Sequence, residues 1–502
     1  MENFWQSTVS PRPSYTALNG HIHTDVCVIG GGITGVTTAL QLANAGKEVV
    51  LLEAHTLGAG TTGASSNHLN TDIDFSYRNV QKNFDEKIAR IVLESRRKGI
   101  DYIENNVQQY GIDCDFRRVN GFLYAEEEEQ LEELEEEYKA ALDVGLRVSK
   151  TRDTSLPFPV KMAIQFEDQG EFNALKYVSG VAKQLEQLSC KIFENSRVVA
   201  YDKDDRVIKT ENGSVTAQDI VFATHLPLFI NVHQTTSAPY RSYMMVAKVE
   251  NYPAEALYWD MYDPYHYTRI YQQNGEPWLV VGGADHKTGH DDHSQDYHQQ
   301  LEDYLRQRYK VKEIAYRWSS QYYEPADGLP YIGLSPFENT YMATGFSGDG
   351  LVYGTIAGIL MADMMLRNSN EWLEAYDARR FKPVASAKDF LEHNLDVGKQ
   401  MIGKRLISED LENIQLGEGR VVKHHLKQYA VYKDTTGQLK VCSAVCTHLK
   451  CIVRWNHMEK TWDCACHGSR FDPEGKVLTG PATIDLKKAE TETIADLQKD
   501  IQ

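Results

Sequence analysis

The clearest hydrophobic pattern of the chain lies near its start, between residues 25 and 54. DVCVIG is an apolar run that ends in glycine, and KEVVLLEA is a second apolar run. Between them, ITGVTTALQLANAG repeats apolar positions at helical spacing and also ends in glycine, which is typical of a helix. The pattern therefore predicts a strand–helix–strand unit whose two strands belong to a parallel sheet.

Helical and strand patterns alternate along the rest of the chain. Residues 84–145 predict helices around a short strand, VNGFLYA, and 173–190 predict a further helix followed by strands with turns at DKDD and ENGS. The tyrosine-rich region 236–320 is typical of antiparallel strands, and the region after 327 predicts a strand, a glycine-rich turn and a long apolar helix. We expect a helical connector at 386–415 and a domain boundary near 410–415, because short strands and turns follow.

Charge and segment composition restrict the function classes. The net charge of -18 over 502 residues disfavours nucleic acid and anionic membranes as partners, because both would repel the chain. The acidic run EEEEQLEELEEE fits a solvated helix face. The start of the sequence has no secretory pattern, and the chain has no apolar stretch of 18 residues. We therefore expect a cytoplasmic protein without a transmembrane segment.

A glycine fingerprint lies between the first predicted strand and helix. Gly30-x-Gly32-x-x-Gly35 follows the strand directly, and Glu53 ends the next strand. Such glycines allow a tight turn, a close approach to a pyrophosphate and close packing of helix on strand, while the helix N-terminus attracts phosphate. An acid at the position of Glu53 can accept hydrogen bonds from ribose hydroxyls. The residues predict a dinucleotide site and leave open whether it takes NAD or FAD.

Further motifs resemble the D-amino-acid-oxidase-like family of FAD-dependent oxidoreductases, which includes sarcosine, glycine and glutamylputrescine oxidases. The resemblance covers about residues 14–385 through GAGTTGASSN, VFATH, DGLPYIG and ATGFSGDGLVYGT, in addition to the fingerprint. It implies FAD as the cofactor, with the loop 58–67 around its phosphates and flavin. The FAD-binding residues that it implies are Gly30, Gly32, Gly35, Glu53, Thr61, Thr62, Ser65, Val198, Thr224, Gly345, Gly348, Gly350 and Leu351.

The same resemblance implies an α/β, Rossmann-like FAD-binding domain interleaved with an α+β substrate domain. We expect the FAD-binding domain at 1–85, 151–235 and 321–385, and the substrate domain at 86–150 and 236–320. Members of the family commonly hold a substrate carboxylate with arginine and tyrosine. Tyr267, Arg269 and His286 are the candidate catalytic residues in the substrate region, although each of them also fits an ordinary core or surface position.

Five of the eight cysteines fall within 25 positions near the end of the chain. Cys446 and His448 form one short-spaced pair, and Cys464 and His467 form another. Two thiolates and two imidazoles suit an asymmetric iron–sulfur cluster. Zinc is the alternative, since it binds the same side chains at short spacing.

The sequence around these cysteines resembles the Rieske family over about residues 416–490, in CTHLKC and WDCACHGSRFDPEGKVLTGPA. The resemblance implies a small all-β domain at 416–502 with a [2Fe–2S] cluster. It places the ligands at Cys446, His448, Cys464 and His467, and a disulfide between Cys451 and Cys466. Three residues depart from the family pattern: Lys450 replaces a common glycine, Ala465 a common proline, and Phe471 the tyrosine of high-potential members. The missing phenol predicts a potential in the middle of the Rieske range, since hydrogen bonds to cluster sulfurs raise it.

A flavin and an iron–sulfur cluster in one chain suggest a converter between two-electron and one-electron chemistry. We expect the protein to dehydrogenate a small substrate, an amine or amino acid, and to pass electrons through the cluster to a redox partner protein or another acceptor. Two alternatives stay open. In one, a partner reduces the cluster and the cluster reduces the flavin; in the other, the cluster only braces the C-terminal domain.

Overall fold

The computed structural model describes residues 3–229, 232–290, 296–380, 411 and 414–499. The predicted connector at 386–415 lies outside the described residues except at 411, 414 and 415. The chain packs into two units. The first comprises the described residues within 3–225, 242–285 and 297–380, and the second those within 226–241, 286–296 and 411–499.

The first unit combines helices with two large sheets. Its described helices are α1 (Phe4–Ser7), α2 (Ile33–Asn44), α3 (Tyr77–Asn83), α4 (Glu86–Tyr110), α5 (Leu131–Val144), α6 (Ala174–Gln187), α7 (Tyr297–Arg308), α8 (Gly350–Leu366) and α9 (Leu373–Tyr376). Its strands are β1 (Gly20–Ile29), β2 (Val49–Leu52), β3 (His68–Leu69), β4 (Arg117–Ala125), β5 (Val148–Thr151), β6 (Met162–Glu171), β7 (Lys191–Phe193), β8 (Val198–Asp202), β9 (Val207–Thr210), β10 (Gly213–Phe222), β11 (Ser237–Val249), β12 (Leu257–Asp260), β13 (Tyr267–Gln273), β14 (Glu276–Lys287), β15 (Val311–Pro325), β16 (Tyr331–Leu334) and β17 (Thr340–Thr344).

The first sheet confirms the strand–helix–strand unit of the sequence. Its central strand β1 pairs in parallel with β10 on one side and β2 on the other, in the order β16-β17-β10-β1-β2-β7. β1 and β2 are buried where they pair, because their apolar runs are covered on both faces. Helix α2 packs closely on α8: a Cβ added at Gly358 would lie 2.6 Å from the Thr37 side chain.

The second sheet has the order β15-β11-β14-β13-β12-β4-β6-β3, with β5 beside β6. The neighbours β11, β14, β13 and β12 come from the tyrosine-rich region, and β13 pairs antiparallel with both β12 and β14. Strand β6 lies inside the range 151–235 that the sequence assigns to the FAD-binding domain, yet it pairs with β4. The fold class is confirmed, while those domain limits remain a prediction.

Helix α8 lies in the core of the first unit. By length and composition, Ser347–Leu366 could cross a membrane, but 67% of its apolar window is buried inside the protein. Residues such as Leu351, Ile356 and Met361 are at most 5% exposed. Its apolar surface is therefore covered by neighbouring protein, as expected of a core helix.

The C-terminal part of the second unit is built from two small sheets and a terminal helix. The strands are β18 (Glu418–His424), β19 (Lys427–Lys433), β20 (Leu439–Ser443), β21 (Val453–Asn456), β22 (Thr461–Cys464), β23 (Arg470–Phe471) and β24 (Val477–Thr479), and the helix is α10 (Thr491–Lys499). β18–β20 form one antiparallel sheet and β21–β24 the other. Trp455, Trp462 and Phe471 are buried in its core.

Candidate active site and metal centre

The glycine fingerprint forms a tight turn at the carboxyl edge of the first sheet. Gly30 has a φ of +108°, and a Cβ there would lie 2.3 Å from the Ala223 carbonyl oxygen. A Cβ at Gly35 would lie 1.8 Å from the Gly30 carbonyl oxygen, and one at Gly32 would lie 2.9 Å from Thr62 Oγ1. Gly30 and Gly35 therefore let two main-chain segments approach each other closely, and Gly32 lets the main chain approach the loop that carries Thr62. This cradle fits a pyrophosphate at the start of α2.

Glu53 follows β2 and faces this turn. Its Oε2 accepts a hydrogen bond from the Gly31 N–H at 2.7 Å, and its Oε1 accepts one from the His55 N–H at 2.8 Å. Burial raises the pKa of the Glu53 carboxyl, and these backbone donors oppose the shift. The Glu53 carbonyl also accepts a hydrogen bond from the Ser196 N–H at 2.8 Å, which brings the segment before β8 and Val198 to this edge.

The loop after β2 carries the hydroxyls predicted to hold the cofactor. Thr61 donates to the Gln321 carbonyl at 3.1 Å, Thr62 Oγ1 accepts from the Ile33 N–H at 3.0 Å, and Ser65 donates to the Thr62 carbonyl at 3.1 Å. Thr224 follows β10, next to the Ala223 carbonyl that Gly30 approaches. These predicted FAD-binding residues therefore surround the end of β1.

Two polar atoms beside this loop are buried without a hydrogen bond. They are Nδ2 of Asn67 and Nε2 of His68. Burial, with Arg269 as a smaller cause, holds the pKa of His68 well below its usual value, so its imidazole is neutral. Buried polar groups normally have partners. A polar cofactor in the loop would supply them, so the residues fit FAD.

The glycine-rich turn before α8 is held by acidic side chains. Gly345 has a φ of +74°, and the Gly348 N–H donates to Asp74 Oδ2 at 2.6 Å. Asp349 pairs with Arg96 at 2.7 Å, and both side chains are at most 3% exposed. The helix then begins at Gly350 and Leu351.

A cluster of acids and phenols adjoins this turn. Asp74 is exposed, yet desolvation by the surrounding protein and the neighbouring Asp349 hold its pKa well above the usual value. Tyr265 donates to Asp74 Oδ1 at 3.3 Å, and Tyr322 donates to Asp285 Oδ2 at 2.9 Å. The Asp285 carboxyl also raises the pKa of Asp74, so Asp74, Asp285 and the two tyrosines form one cluster, called the acid cluster below.

Asp285 is the acid of this cluster with fewer hydrogen bonds. Its Oδ1 is buried and makes no hydrogen bond. Burial raises the pKa of Asp285 to about 6, and hydroxyl donors oppose the shift. Sequence reasoning missed Asp74, Asp285 and Tyr322. Only the nearby tyrosines Tyr265 and Tyr267 signalled a polar region on these strands.

The structure places the three candidate catalytic residues in different surroundings. Tyr267 lies on β13, with its hydroxyl 2.9 Å from that of Ser242. Arg269 on the same strand donates to the Asn67 and Phe172 carbonyls at 2.8 and 3.2 Å, and its Nε lies 3.1 Å from Glu171 Oε2. His286 belongs to the second unit, whereas the other two belong to the first. The Arg269 guanidinium is thus committed to protein groups, and a catalytic role for any of the three stays a prediction.

The cysteine and histidine pairs converge in the second unit. Cys446 and Cys464 are free thiols, each 1% exposed, and the ring centroids of His448 and His467 lie 5.0 Å apart. A hydrogen bond shared between the two thiols lowers the pKa of Cys446. Nδ1 of His448 is buried without a hydrogen bond. Two adjacent sulfurs and an unsatisfied ring nitrogen fit a cluster held by two cysteines and two histidines.

A disulfide joins the two loops that carry these pairs. Cys451 and Cys466, 15 positions apart in sequence, are bonded to each other. The sulfurs of Cys451, Cys464 and Cys466 lie within 4.8 Å of one another. Because two of these three are already bonded, only Cys464 among them is able to bind iron. The disulfide predicted from the resemblance is present in the structure.

The three departures from the family pattern have local explanations or consequences. Lys450 has a φ of +66°, a conformation that favours glycine. Ala465 lies against Gly289: a Cβ at residue 289 would lie 2.7 Å from the Ala465 nitrogen, so this close approach requires glycine at 289. Phe471 is fully buried and offers no hydroxyl, whereas the Ser469 side chain hydrogen-bonds Cys446 and lowers its pKa.

Comparison with known proteins agrees with both sites. Residues 25–364 match the family described as FAD dependent oxidoreductase, and residues 406–490 match the Rieske [2Fe-2S] domain. The first match covers more than half of the chain, so the chain belongs to the FAD-dependent oxidoreductase family. It is an oxidoreductase that binds FAD in this part and a [2Fe–2S] cluster in its Rieske domain.

Individual relatives are similar either to nearly the whole chain or to about three quarters of it. The chain is 31% identical over 495 residues, 97% of each chain, to YhfW of Bacillus subtilis, whose name describes a Rieske 2Fe-2S iron-sulfur protein. It is 25% identical to gamma-glutamylputrescine oxidoreductase of Escherichia coli, over 74% of this chain and 91% of the relative. The crystal structure of glycine oxidase from Geobacillus kaustophilus superposes with a TM-score of 0.61 at 19% identity, over 72% of this chain and 99% of that one. That likeness supports the fold.

Proposed function

We propose that this protein oxidises a small amine and delivers the electrons through its Rieske cluster to an external one-electron acceptor. When bound, FAD accepts two electrons from a C–H bond and the cluster transfers one electron at a time. The proposed FAD ligands are the residues around the fingerprint, the loop after β2 and the turn before α8. The proposed cluster ligands are Cys446, His448, Cys464 and His467.

The observation that carries the proposal is the joining of an oxidase fold and a Rieske domain in one chain. The reaction removes two electrons and two protons from a carbon–nitrogen unit and leaves an imine. A one-electron acceptor, such as a redox partner protein, must therefore take up electrons twice for each substrate molecule. The buried, disulfide-joined ligand loops suit repeated electron transfer, because they hold the cluster geometry in both oxidation states.

Of the two expected substrate classes, the acid cluster favours an amine without a carboxylate. Asp285 presents a buried oxygen that lacks a hydrogen bond. The guanidinium groups of Arg96 and Arg269 are already bonded to Asp349 and Glu171. A substrate ammonium would satisfy the Asp285 oxygen, whereas a substrate carboxylate would meet acids of like charge.

A substrate screen tests this choice. Anaerobic bleaching of the flavin absorbance would be followed across primary and secondary amines and the corresponding amino acids. We expect amines to bleach the flavin at lower concentration than their α-carboxylated analogues. The opposite ranking would contradict the amine proposal and favour an amino acid.

The Asp285 carboxyl gives this preference a pH dependence. Because the pKa of Asp285 is about 6, its carboxylate is present above that pH and is lost below it. We expect kcat/KM for an amine to fall as the pH drops through about 6, and Asp285→Asn to lower kcat/KM at pH 8 by roughly tenfold to a hundredfold, the value of a charge-assisted hydrogen bond. Asp219→Asn is the matched control, since Asp219 is a half-buried acid on β10. Equal losses in both variants would contradict the role of Asp285.

Electron counting tests the link to the cluster. In an anaerobic titration, wild-type protein should need about 1.5 equivalents of amine for full reduction, because FAD takes two electrons and the cluster one. Cys464→Ser, which removes a proposed ligand, should need about 1 equivalent, since only FAD remains. Equal stoichiometry in the two proteins, with the cluster present in wild type, would contradict electron delivery to the cluster.

A further inference from the structure

The segment 226–241 leaves the first unit after β10 and packs with the Rieske domain in the second unit. Its residue Gln234 is fully buried. The Gln234 amide nitrogen donates to the Pro227 carbonyl at 2.8 Å and also to the Phe229 carbonyl. Because both amide hydrogens are used in this way, the orientation of the amide is fixed.

The fixed amide turns its oxygen towards a proposed cluster ligand. Gln234 Oε1 lies 3.1 Å from Nε2 of His448. The His448 ring also hydrogen-bonds the Phe229 backbone, whose carbonyl is itself held by the Gln234 amide nitrogen. An amide oxygen only accepts, so Nε2 of the imidazole must carry the hydrogen and donate it. Nδ1 of the same ring is then left with a lone pair, and it is buried without a hydrogen bond. This is the tautomer that binds a metal through Nδ1.

The chain enters the second unit a second time at residues 286–296, and this segment supports the position of 226–241. The Thr288 N–H donates to the Pro239 carbonyl at 2.9 Å, which ties residues 286–296 to 226–241. Gly289 packs against Ala465, the residue between Cys464 and Cys466 in the sequence. Both ligand loops of the Rieske domain are therefore contacted by segments that precede the domain in sequence.

We infer that Gln234 is a positioning residue for the Rieske cluster: together with the Phe229 backbone that it holds, it selects the Nδ1-binding tautomer of His448, and it lowers the reduction potential of the cluster. A ligand imidazole whose second N–H is hydrogen-bonded is oriented and becomes a stronger donor to the metal. Stronger donation stabilises the oxidised cluster, so the potential falls. The inference rests on the proposed ligation by His448. It also means that His448 Nε2–H is used inside the molecule and does not dock an external partner.

The test compares variants of the full-length holoprotein that lose the acceptor. Gln234→Met keeps the size of the side chain but removes the amide, and Gln234→Asn keeps an amide but draws it back by one methylene. Thr236→Val is the control, because the Thr236 hydroxyl donates to the His233 carbonyl of the same segment at 3.3 Å. The potential is measured by chemical redox titration followed by the EPR signal of the reduced cluster, without any amine.

We expect both Gln234 variants to favour cluster reduction about tenfold, which is about 59 mV for a one-electron couple. Pulsed EPR should also show a changed coupling from one of the two ligand imidazoles. The control should stay within about twofold of wild type. Loaded variants with an unmoved potential would overturn the inference, as would an equal shift in Thr236→Val.

Two further outcomes are decisive. Loss of the cluster from both Gln234 variants, with Thr236→Val fully loaded, would overturn the inference in favour of a purely structural role. The absence of a Rieske EPR signal from wild-type protein would remove the proposed ligation itself. Because the titration uses a chemical reductant, its result does not depend on amine oxidation or on the direction of electron flow.

Discussion

Among single residues, the sequence predicted those site residues that belong to local motifs. Cys446, His448, Cys464 and His467 were predicted from short spacings, and the structure brings them together. Gln234 could not be predicted, because it lies 214 positions from the His448 ring that it contacts. Asp285 was missed for the same reason: its partner Tyr322 is 37 positions away and on another strand.

The hydroxyl of Ser469 gives a prediction at this scale. It hydrogen-bonds the Cys446 sulfur, and such bonds stabilise the more negative, reduced cluster. Ser469→Ala should therefore lower the cluster potential, by about 59 mV if the reduction equilibrium changes tenfold. A redox titration followed by EPR measures this. Ser443→Ala is the control, since its hydroxyl accepts from the Val445 N–H instead. A potential unchanged in Ser469→Ala would contradict the account.

Lys450 gives a second prediction at this scale, about stability. Its φ of +66° costs a side-chain-bearing residue roughly 1–2 kcal/mol, whereas glycine adopts it freely at an entropic cost of about 0.5–1 kcal/mol. Lys450→Gly should raise the stability of the Rieske domain by about 0.5–1 kcal/mol. Thermal loss of the cluster's visible circular dichroism would report it. Lys440→Gly, inside β20, should have the opposite effect, and a stabilisation of both variants would refute the explanation.

At the scale of elements, periodicity predicted the individual helices and strands better than their partners. The 25–54 unit is present as β1, α2 and β2, because local spacing determines which face of each element is apolar. The pairing of β12 with β4, in parallel register from Leu257↔Gly121, joins strands far apart in sequence. Likewise β6 joins the second sheet, which its own alternation does not reveal. Long-range packing decides such pairings, and a single sequence does not show it.

The contact between α2 and β1 gives a prediction at the scale of elements. A methyl group at Gly35 would lie 1.8 Å from the Gly30 carbonyl oxygen, so Gly35→Ala must push the start of α2 away from the turn. We expect the variant to lose FAD while keeping its Rieske signal, because the two sites lie in separate units. Flavin absorbance and EPR of the same sample measure both. Ala45→Gly, at the far end of α2, is the control, and retention of FAD at wild-type level in Gly35→Ala would contradict the cradle.

For the molecule as a whole, the chain joins an FAD-dependent oxidoreductase fold to a Rieske [2Fe–2S] domain. The sequence predicted both parts through their motifs, and the matches to residues 25–364 and 406–490 agree. The sequence did not show that residues 226–241 and 286–296 pack with the Rieske domain. These two segments place Gln234 and Gly289 beside the ligand loops. Parts of the chain that precede the Rieske domain therefore help to set the reduction potential of its cluster.

Rapid-freeze EPR after anaerobic mixing shows whether electrons from an amine reach the Rieske cluster. Wild-type protein mixed with a substrate amine should develop the signal of the reduced cluster as the flavin absorbance bleaches. Cys464→Ser, prepared in parallel, should bleach without that signal. A wild-type flavin that becomes fully reduced beside a cluster that stays oxidised would contradict the account.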